Sequence, residues 1–199
     1  YKGLLLANPF QMIAKPKVDK HLPDIPTAKE VLAMLEHPCA DYRQRMDRLI
    51  VCLFWATGMR RAGLANARLS HYDRINGTLK ITEKGNKDRH VILTPRATAL
   101  LDEYLAVRKT DTDFLLVAED GTRWTYNMVY TSVLSLAKRA GVLSKVWCHA
   151  LRHRFATDML DGGCDLESLR DMLGHESLGT TGKYLHGSIA RLKEQHAKA

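Results

Sequence analysis

The spacing of apolar residues predicts a chain built mainly of amphipathic helices. A first helix is predicted to begin at Thr27, because Thr27 and Glu30 form a capping-box pattern and the apolar positions that follow share one face. A second helix is predicted over about 41–57, with Gly58 as its C-terminal cap. The middle of this second helix is apolar on nearly every side, which predicts that it is buried in the core.

A short β region is predicted after these two helices. Asn76-Gly77 tolerates positive φ angles, so residues 75–78 are predicted to form a type I′ hairpin turn. A strand is predicted over 79–82 and a returning strand over 89–93, with a basic turn at 84–88 between them. Together these segments predict three short antiparallel strands.

The rest of the chain is predicted to be helical, apart from a short extended piece over 114–117. Proline is favoured in the first turn of a helix, and glycine ends several of the periodic segments. The predicted helices cover about 95–108, 127–140, 149–160 and 165–173, and a last helix carries Tyr184. The sequence therefore predicts a mainly α fold with a small three-stranded antiparallel β-sheet, an α+β class.

Composition indicates one compact globular domain. The chain has 199 residues, of which 45% are apolar, and this excludes collagen-like, low-complexity and disordered classes. The longest apolar run, 49–56, is far shorter than the roughly 20 residues that a membrane span needs. Since no secretory signal is visible either, we expect no membrane partner and a cytoplasmic protein with reduced thiols at its four cysteines, Cys39, Cys52, Cys148 and Cys164.

The N-terminal segment differs in composition from the rest. Residues 1–26 hold four of the six prolines, interleaved with lysines, which predicts an extended cationic linker. The chain begins with Tyr1 rather than methionine, so we expect it to be part of a longer protein. A packed domain is predicted over 27–187, followed by a tail over 188–199.

Net charge gives the first indication of function. The 30 lysines and arginines against 22 aspartates and glutamates give a net charge of +8. A basic surface of this size favours a polyanionic partner such as nucleic acid. Charge alone leaves open the alternative of a basic surface without a specific anionic ligand.

Four short motifs carry the chemistry-bearing residues. Thr57-Gly58-Met59-Arg60 places an arginine just after a helix end, and a basic turn around Lys84 follows between two strands. The next motif, H-x-L-R-H-x-F-A-T, begins at His149 and puts Arg152 on the same helical face three residues later. The last, L-G-H-x-x-L-x-T-T-x-x-Y-x-H, holds the last two candidates, His175 and Tyr184.

In this order the four motifs resemble those of the tyrosine recombinase (phage integrase) family, over nearly the whole chain. The resemblance implies the catalytic-domain fold of that family. It also implies paired arginines, a hairpin lysine, two active-site histidines and a nucleophilic tyrosine. The implied catalytic residues are Arg60, Lys84, His149, Arg152, His175 and Tyr184. It further implies that 1–26 joins the domain to a missing N-terminal DNA-binding domain, and that 188–199 packs on a neighbouring protomer.

The implied reaction is site-specific recombination of double-stranded DNA through a 3′-phosphotyrosine intermediate. Two guanidiniums suit the crowded, anionic transition state, because their planar forks stay charged at any relevant pH. The tyrosine must lose a proton during attack, and His149 is expected to accept it, while Lys84 protonates the leaving 5′-oxygen. We expect His175 to bond a non-bridging oxygen. No metal, other cofactor or ATP is expected, and the partner assembly is a homo- or hetero-tetramer on DNA.

One departure from the family pattern keeps alternatives open. The family commonly carries an acidic residue three positions after the first arginine, where this chain has Gly63. This favours, as one alternative, a relative that binds DNA without cleaving it, and a type IB topoisomerase-like relaxation activity is another. Cysteine and histidine are zinc ligands, but Cys148, His149, His153 and Cys164 lack the spacing of known zinc motifs. A metal-dependent phosphoesterase is therefore the most distant alternative.

Overall fold

The computed structural model describes residues 25–83, 87–174 and 196. Within these ranges, capping residues and apolar faces divide the chain into seven α-helices, a short 3-10 helix and three strands. Their bounds are α1 Ala28–Glu36, α2 Tyr42–Thr57, α3 Arg61–Ala65, a 3-10 helix Leu69–His71, β1 Tyr72–Asp73, β2 Thr78–Glu83, β3 Lys87–Ile92, α4 Pro95–Val107, α5 Tyr126–Arg139, α6 Cys148–Asp161 and α7 Leu166–Leu173. The predicted fold class is confirmed.

Helix α2 forms the centre of the fold. It packs against α1, α4, α5 and α6, and nearly all of its middle is buried, as its apolar sequence predicts. Its N-cap is Asp41, whose carboxylate accepts the backbone N–H of Gln44 at 2.8 Å. Its C-cap is Gly58, which has a φ of 57° and donates its N–H to the carbonyl of Phe54 at 2.9 Å. Both predicted ends of this helix are confirmed.

Gly58 also lies in close contact with α6 and α7. A Cβ atom at this position would lie 2.4 Å from Cδ1 of Phe155 and 2.9 Å from Cδ2 of Leu173. Such distances are far inside van der Waals contact, so the packing of α6 and α7 on the end of α2 requires glycine here. This contact brings the middle of α6 and the end of α7 against the end of α2, next to the residues that follow Gly58.

The three strands form one antiparallel sheet in the order β1-β2-β3, as predicted. Leu79 lies opposite both Tyr72 and Val91, and the buried side chains of β2 and β3 face the core. The predicted hairpin is confirmed, but its turn is not a two-residue type I′ turn, because four residues, 74–77, connect β1 to β2. The carboxylate of Asp73 accepts both the backbone N–H of Asn76 at 3.0 Å and its side-chain amide at 2.6 Å, which stabilises the longer loop.

The other predicted elements that fall on described residues agree with the structure to within about two residues, except at 114–117. Helix α3 and the 3-10 helix were not predicted, since neither is long enough to show helical periodicity. The predicted extended piece over 114–117 forms only isolated bridges, from Phe114 to Arg68 and from Val117 to Arg123. The predicted helix carrying Tyr184, nearly all of the predicted linker over 1–26 and the tail over 188–199 except His196 lie outside the described residues.

Two further findings concern membrane-spanning helices and the four cysteines. None of the described helices combines the length and apolar character needed to span a bilayer. Cys52, Cys148 and Cys164 are buried and Cys39 is half-buried, and all four thiols are free.

Candidate active site

Arg60 lies in the turn between α2 and α3. The glycine cap of α2 reverses the chain at residue 58, and Arg60 then takes an extended conformation as the N-cap residue of α3. Its guanidinium nitrogens lie 3.5 and 3.4 Å from the carbonyl oxygen of Gly174, to which they donate. Gly174 is the left-handed C-cap of α7, so this contact joins the end of α2 to the end of α7.

Arg152 reaches the same place from α6. It is buried, with 4% of its surface exposed. One of its terminal nitrogens donates to the carbonyl of Leu173 at 2.7 Å, and the other donates to the carbonyl of Gly58. Leu173 and Gly174 are consecutive residues, so Arg60 and Arg152 are both anchored on the C-terminal end of α7.

These two arginines and His149 line one cavity of about 330 Å³. The cavity opens between the end of α2, helix α3 and the N-terminal halves of α5 and α6. Its lining residues are Met59, Arg60, Arg61, Ala62, Tyr126, Tyr130, Trp147, Cys148, His149 and Arg152. The structure thus brings together three of the six residues that the resemblance implies. The other three, Lys84, His175 and Tyr184, lie outside the described residues.

The histidine and the arginine of the H-x-L-R motif differ in burial. In the structure His149 is exposed and Arg152 is buried, although the two residues are only three positions apart on α6. His149 lies in the first turn of α6, and its ring packs edge-on against that of His153, with 4.6 Å between their centroids. His153 is exposed as well and does not line the cavity.

Gly63, where the sequence departs from the family pattern, lies in α3 next to the site. This residue is buried in α3, at the position where the resemblance to the family implies an acidic residue. Burying a carboxylate is costly unless it is paired, so glycine fits the packing that the structure shows. Arg60 receives support from the carbonyl of Gly174 instead.

Seven of the ten lining residues were not among the predicted site residues, and four of these seven have ionisable side chains: Arg61, Tyr126, Tyr130 and Cys148. Arg61 adjoins Arg60 in sequence, and the two tyrosines are four residues apart on α5, which places them on one face. Burial raises the pKa of the Cys148 thiol to about 11, so this thiol is protonated at neutral pH. The adjacency and the spacing are visible in the sequence, but they do not reveal that these residues share the cavity of Arg60.

The structure does not gather the zinc ligands weighed from the sequence. Cys148, His149, His153 and Cys164 all lie within the described part of the chain. In that part, no three His, Cys, Asp or Glu side chains are placed so that they could hold a metal ion together.

Comparison with known proteins identifies the fold and the relatives. The profile of the phage integrase family matches residues 26–191. Tyrosine recombinase XerD of Staphylococcus saprophyticus subsp. saprophyticus is 33% identical over 196 residues, which cover 95% of this chain and 66% of that protein. The chain spans about two thirds of the length of the curated relatives it matches.

Solved structures give the same result. The crystal structure of XerA recombinase superimposes with a TM-score of 0.72 at 30% identity, over 88% of this chain and 66% of that one. A post-cleavage complex of the XerH site-specific recombinase with its palindromic difH substrate gives 0.67 at 29% identity, over 87% and 52% of the two chains. The resemblance and the catalytic-domain fold inferred from the four motifs are thereby confirmed.

Proposed function

This chain belongs to the phage integrase family, and we propose that it is the catalytic domain of a site-specific tyrosine recombinase that breaks and rejoins double-stranded DNA. The observation that carries this proposal is the convergence of Arg60, Arg152 and His149 on one cavity. The likeness to XerD and to a recombinase structure solved with DNA supports it. The net charge of +8 favours the same partner.

In this proposal the cavity binds the scissile phosphate. Each guanidinium presents a planar fork of donors to the non-bridging oxygens, which carry the negative charge of the transition state. The carbonyls of Gly58, Leu173 and Gly174 orient the two guanidiniums before DNA binds. Because a carbonyl carries no net charge, these contacts fix the geometry without cancelling the charge that the phosphate needs.

The proposed cleavage step is an in-line exchange of one phosphoester for another. The Tyr184 oxygen attacks phosphorus and forms a 3′-phosphotyrosine bond, while the bond from phosphorus to the 5′-oxygen breaks. The tyrosine proton passes to His149, and Lys84 protonates the leaving 5′-oxygen. His175 donates a hydrogen bond to a non-bridging oxygen.

Rejoining is the reverse reaction with a new strand. The 5′-hydroxyl of a partner duplex attacks the phosphotyrosine, which releases Tyr184 and restores a phosphodiester. The ester bond keeps the energy of the broken linkage, so strand exchange needs no ATP. The two arginines supply the cationic charge of the step, and the proposal includes no metal ion.

The proposed domain organisation follows the same family pattern. Residues 27–187 form the catalytic domain, and 1–26 link it to an N-terminal DNA-binding domain of the longer protein. Residues 188–199 pack on a neighbouring protomer within a homo- or hetero-tetramer that holds two duplexes.

A nicked duplex tests the proposal directly. A nick close to the cleavage point lets the short 5′-hydroxyl fragment diffuse away, so the covalent complex accumulates. We expect a pool of nicked duplexes with randomised cores to yield a protein–DNA adduct stable to denaturant, and sequencing the captured DNA identifies the target. Tyr184→Phe should bind the same DNA and form no adduct. Absence of an adduct from the folded, DNA-bound wild type would overturn the proposal in favour of a domain that only binds DNA.

A further inference from the structure

One wall of the cavity has no role in the cleavage step described above. It consists of Arg61 together with Tyr126 and Tyr130, and we name these three residues the Arg61 stack. Arg61 is the first residue of α3, and the two tyrosines lie on one face of the first turns of α5. All three line the cavity that holds Arg60, His149 and Arg152.

The Arg61 guanidinium lies over the rings of two tyrosines. Its Cζ atom is 3.4 Å from the ring centroid of Tyr126 and 5.1 Å from that of Tyr130. A guanidinium stacked through its face keeps its N–H donors free along its edge, in the plane where an anion binds. The rings therefore restrict the side chain of Arg61 without occupying its donors.

Arg61 also differs from the ion-paired arginines of this protein. Arg74, Arg139 and Arg154 each contact a carboxylate within 3.0 Å. Over residues 25–83 and 87–174, Arg61 has no carboxylate within 4.0 Å, and its recorded partners are the two rings. Its positive charge is thus available to an external anion at the cavity.

The two tyrosines are not ordinary core residues. Tyr126 is 46% exposed and Tyr130 is 37% exposed, although both carry large apolar rings. Side chains that contributed only to the hydrophobic core would be buried more fully. Their common contact is the guanidinium of Arg61, which indicates that they position it.

We propose that Arg61 binds a DNA phosphate next to the scissile phosphate on the same strand, and that Tyr126 and Tyr130 are positioning residues that hold its guanidinium ready. This inference rests on the proposed function, since it takes the scissile phosphate to be bound by Arg60 and Arg152. Phosphates follow one another along a strand, and Arg61 is the chain neighbour of Arg60 and lines the same cavity. A cavity that holds one phosphate therefore presents the next one to Arg61.

The salt dependence of DNA binding tests this contact. Each phosphate that a protein cation neutralises contributes about 0.9 to the slope of log K against log salt concentration. With a 30-base-pair duplex of mixed sequence as probe, we expect Arg61→Ala to reduce that slope by about 1 and to weaken binding severalfold near physiological salt. Arg61→Lys should keep the slope but bind more weakly, because lysine cannot present a stacked fork.

The tyrosines provide a second readout that separates positioning from charge. Tyr126→Leu removes the ring but no charge, so we expect an unchanged slope with affinity lowered about two- to fivefold, in line with the loss of a cation–π contact of about 0.5–1 kcal/mol. Tyr126→Phe restores the ring and should recover most of that loss. Equal affinities for Tyr126→Leu and wild type would contradict the positioning role.

Arg74→Ala is the matched control. It removes the same charge from an exposed arginine, but Arg74 is already paired with both oxygens of Asp102 and does not line the cavity. We expect its slope and affinity to equal those of the wild type. If Arg61→Ala keeps the wild-type slope while the wild type binds DNA, the inference is wrong. A changed base preference at constant slope would likewise overturn it in favour of base contact, whereas a wild type that binds no DNA would overturn the proposed function itself.

Discussion

Two arginine clusters at opposite ends of α2 are held by different kinds of partner. Near its start, Arg43 and Arg139 bond to the carboxylate of Asp47 at 3.1 and 2.9 Å, and Asp47 has no exposed surface. Beyond its end, Arg60 and Arg152 bond to backbone carbonyls. In the first cluster a buried carboxylate opposes the arginine charge, whereas the carbonyls that accept hydrogen bonds in the second cluster carry no net charge.

This difference shows how one residue type serves two purposes. The cluster at Asp47 ties α2 to α5, and Arg43 additionally stacks over Trp124 with 4.6 Å between Cζ and the ring centroid. The cluster at the cavity joins α6 to the ends of α2 and α7 and lines a space where an anion can bind. We therefore expect changes in the first cluster to lower stability and changes in the second to lower activity.

The largest expected effect is on catalysis at the cavity. Arg152→Lys keeps the charge but loses the fork that reaches Gly58 and Leu173. Loss of one preorganised donor typically costs a hundred- to a thousandfold in rate, so we expect a reduction of about that size in the rate of covalent adduct formation. Single-turnover trapping with a nicked duplex measures it. Adduct formation at the wild-type rate by Arg152→Lys would mean that Arg152, like Arg43 and Arg139, contributes to stability and not to catalysis.

The next effect is on stability in the other cluster. Arg139→Met leaves the fully buried Asp47 with Arg43 as its remaining charged partner among the described residues. Breaking a buried pair is strongly destabilising, and we expect the free energy of unfolding in urea to fall by about 3 kcal/mol. The double variant Asp47→Leu/Arg139→Met should recover much of this loss. Adduct formation by the folded fraction of Arg139→Met should match that of the wild type. If adduct formation falls while the free energy of unfolding stays the same, the assignment of this cluster to stability is wrong.

A smaller effect is expected at the glycine that joins α2 to the cavity. Gly58→Ala introduces a Cβ atom 2.4 Å from Phe155 at a φ of 57°, so we expect a loss of about 2 kcal/mol in unfolding free energy, together with weaker adduct formation. Gly141→Ala is the control, since its φ is 67° but no atom lies within 4 Å of the added Cβ. It should cost about 1 kcal/mol and leave adduct formation unchanged. Equal losses at the two sites would mean that the close approach at Gly58 has no energetic importance.

The smallest effect is expected at Glu30. Its carboxylate accepts hydrogen bonds from neutral donors, whereas the cavity arginines donate hydrogen bonds to neutral carbonyls. The hydroxyl of Ser144 donates to Glu30 at 2.6 Å and lowers the pKa of that carboxyl, as do the N–H and hydroxyl of Thr27. A lowered pKa contributes stability above the unfolded value of about 4.3, and this is lost as the pH falls through the folded value. Glu30→Gln should therefore be less stable at pH 7 by under about 1 kcal/mol and equal to wild type near pH 2, as measured by urea unfolding. If the two proteins differ in free energy of unfolding by the same amount at both pH values, the lowered pKa of Glu30 is not the cause of the difference.

The sequence predicts the framework better than the turns. Asp41 and Gly58 define the ends of α2, because caps are local features whose chemistry depends on a few neighbouring residues. The type I′ turn at Asn76-Gly77 was predicted wrongly, because the carboxylate of Asp73 captures Asn76 and lengthens the loop. Local propensity does not include this competing hydrogen bond.

The candidate site was predictable only in part. The motifs single out Arg60, His149 and Arg152, and the structure places these three at one cavity. The burial of Arg152 depends on carbonyls from the ends of α2 and α7, which are distant in sequence, so helical periodicity could not reveal it. The contact between Arg61 and Tyr126 joins residues 65 positions apart (126 − 61) for the same reason, and only the packing of α3 on α5 creates it.

Mapping the covalent attachment point is the most direct test of the central claim, that this cavity holds a phosphate for attack by Tyr184. Tyr126 and Tyr130 also line the cavity, so the site of attachment discriminates among three tyrosines. We predict that digestion of the trapped adduct, followed by mass spectrometry, finds the nucleotide on the peptide containing Tyr184. A nucleotide on Tyr126 or Tyr130, or an adduct that persists in Tyr184→Phe, would contradict the account.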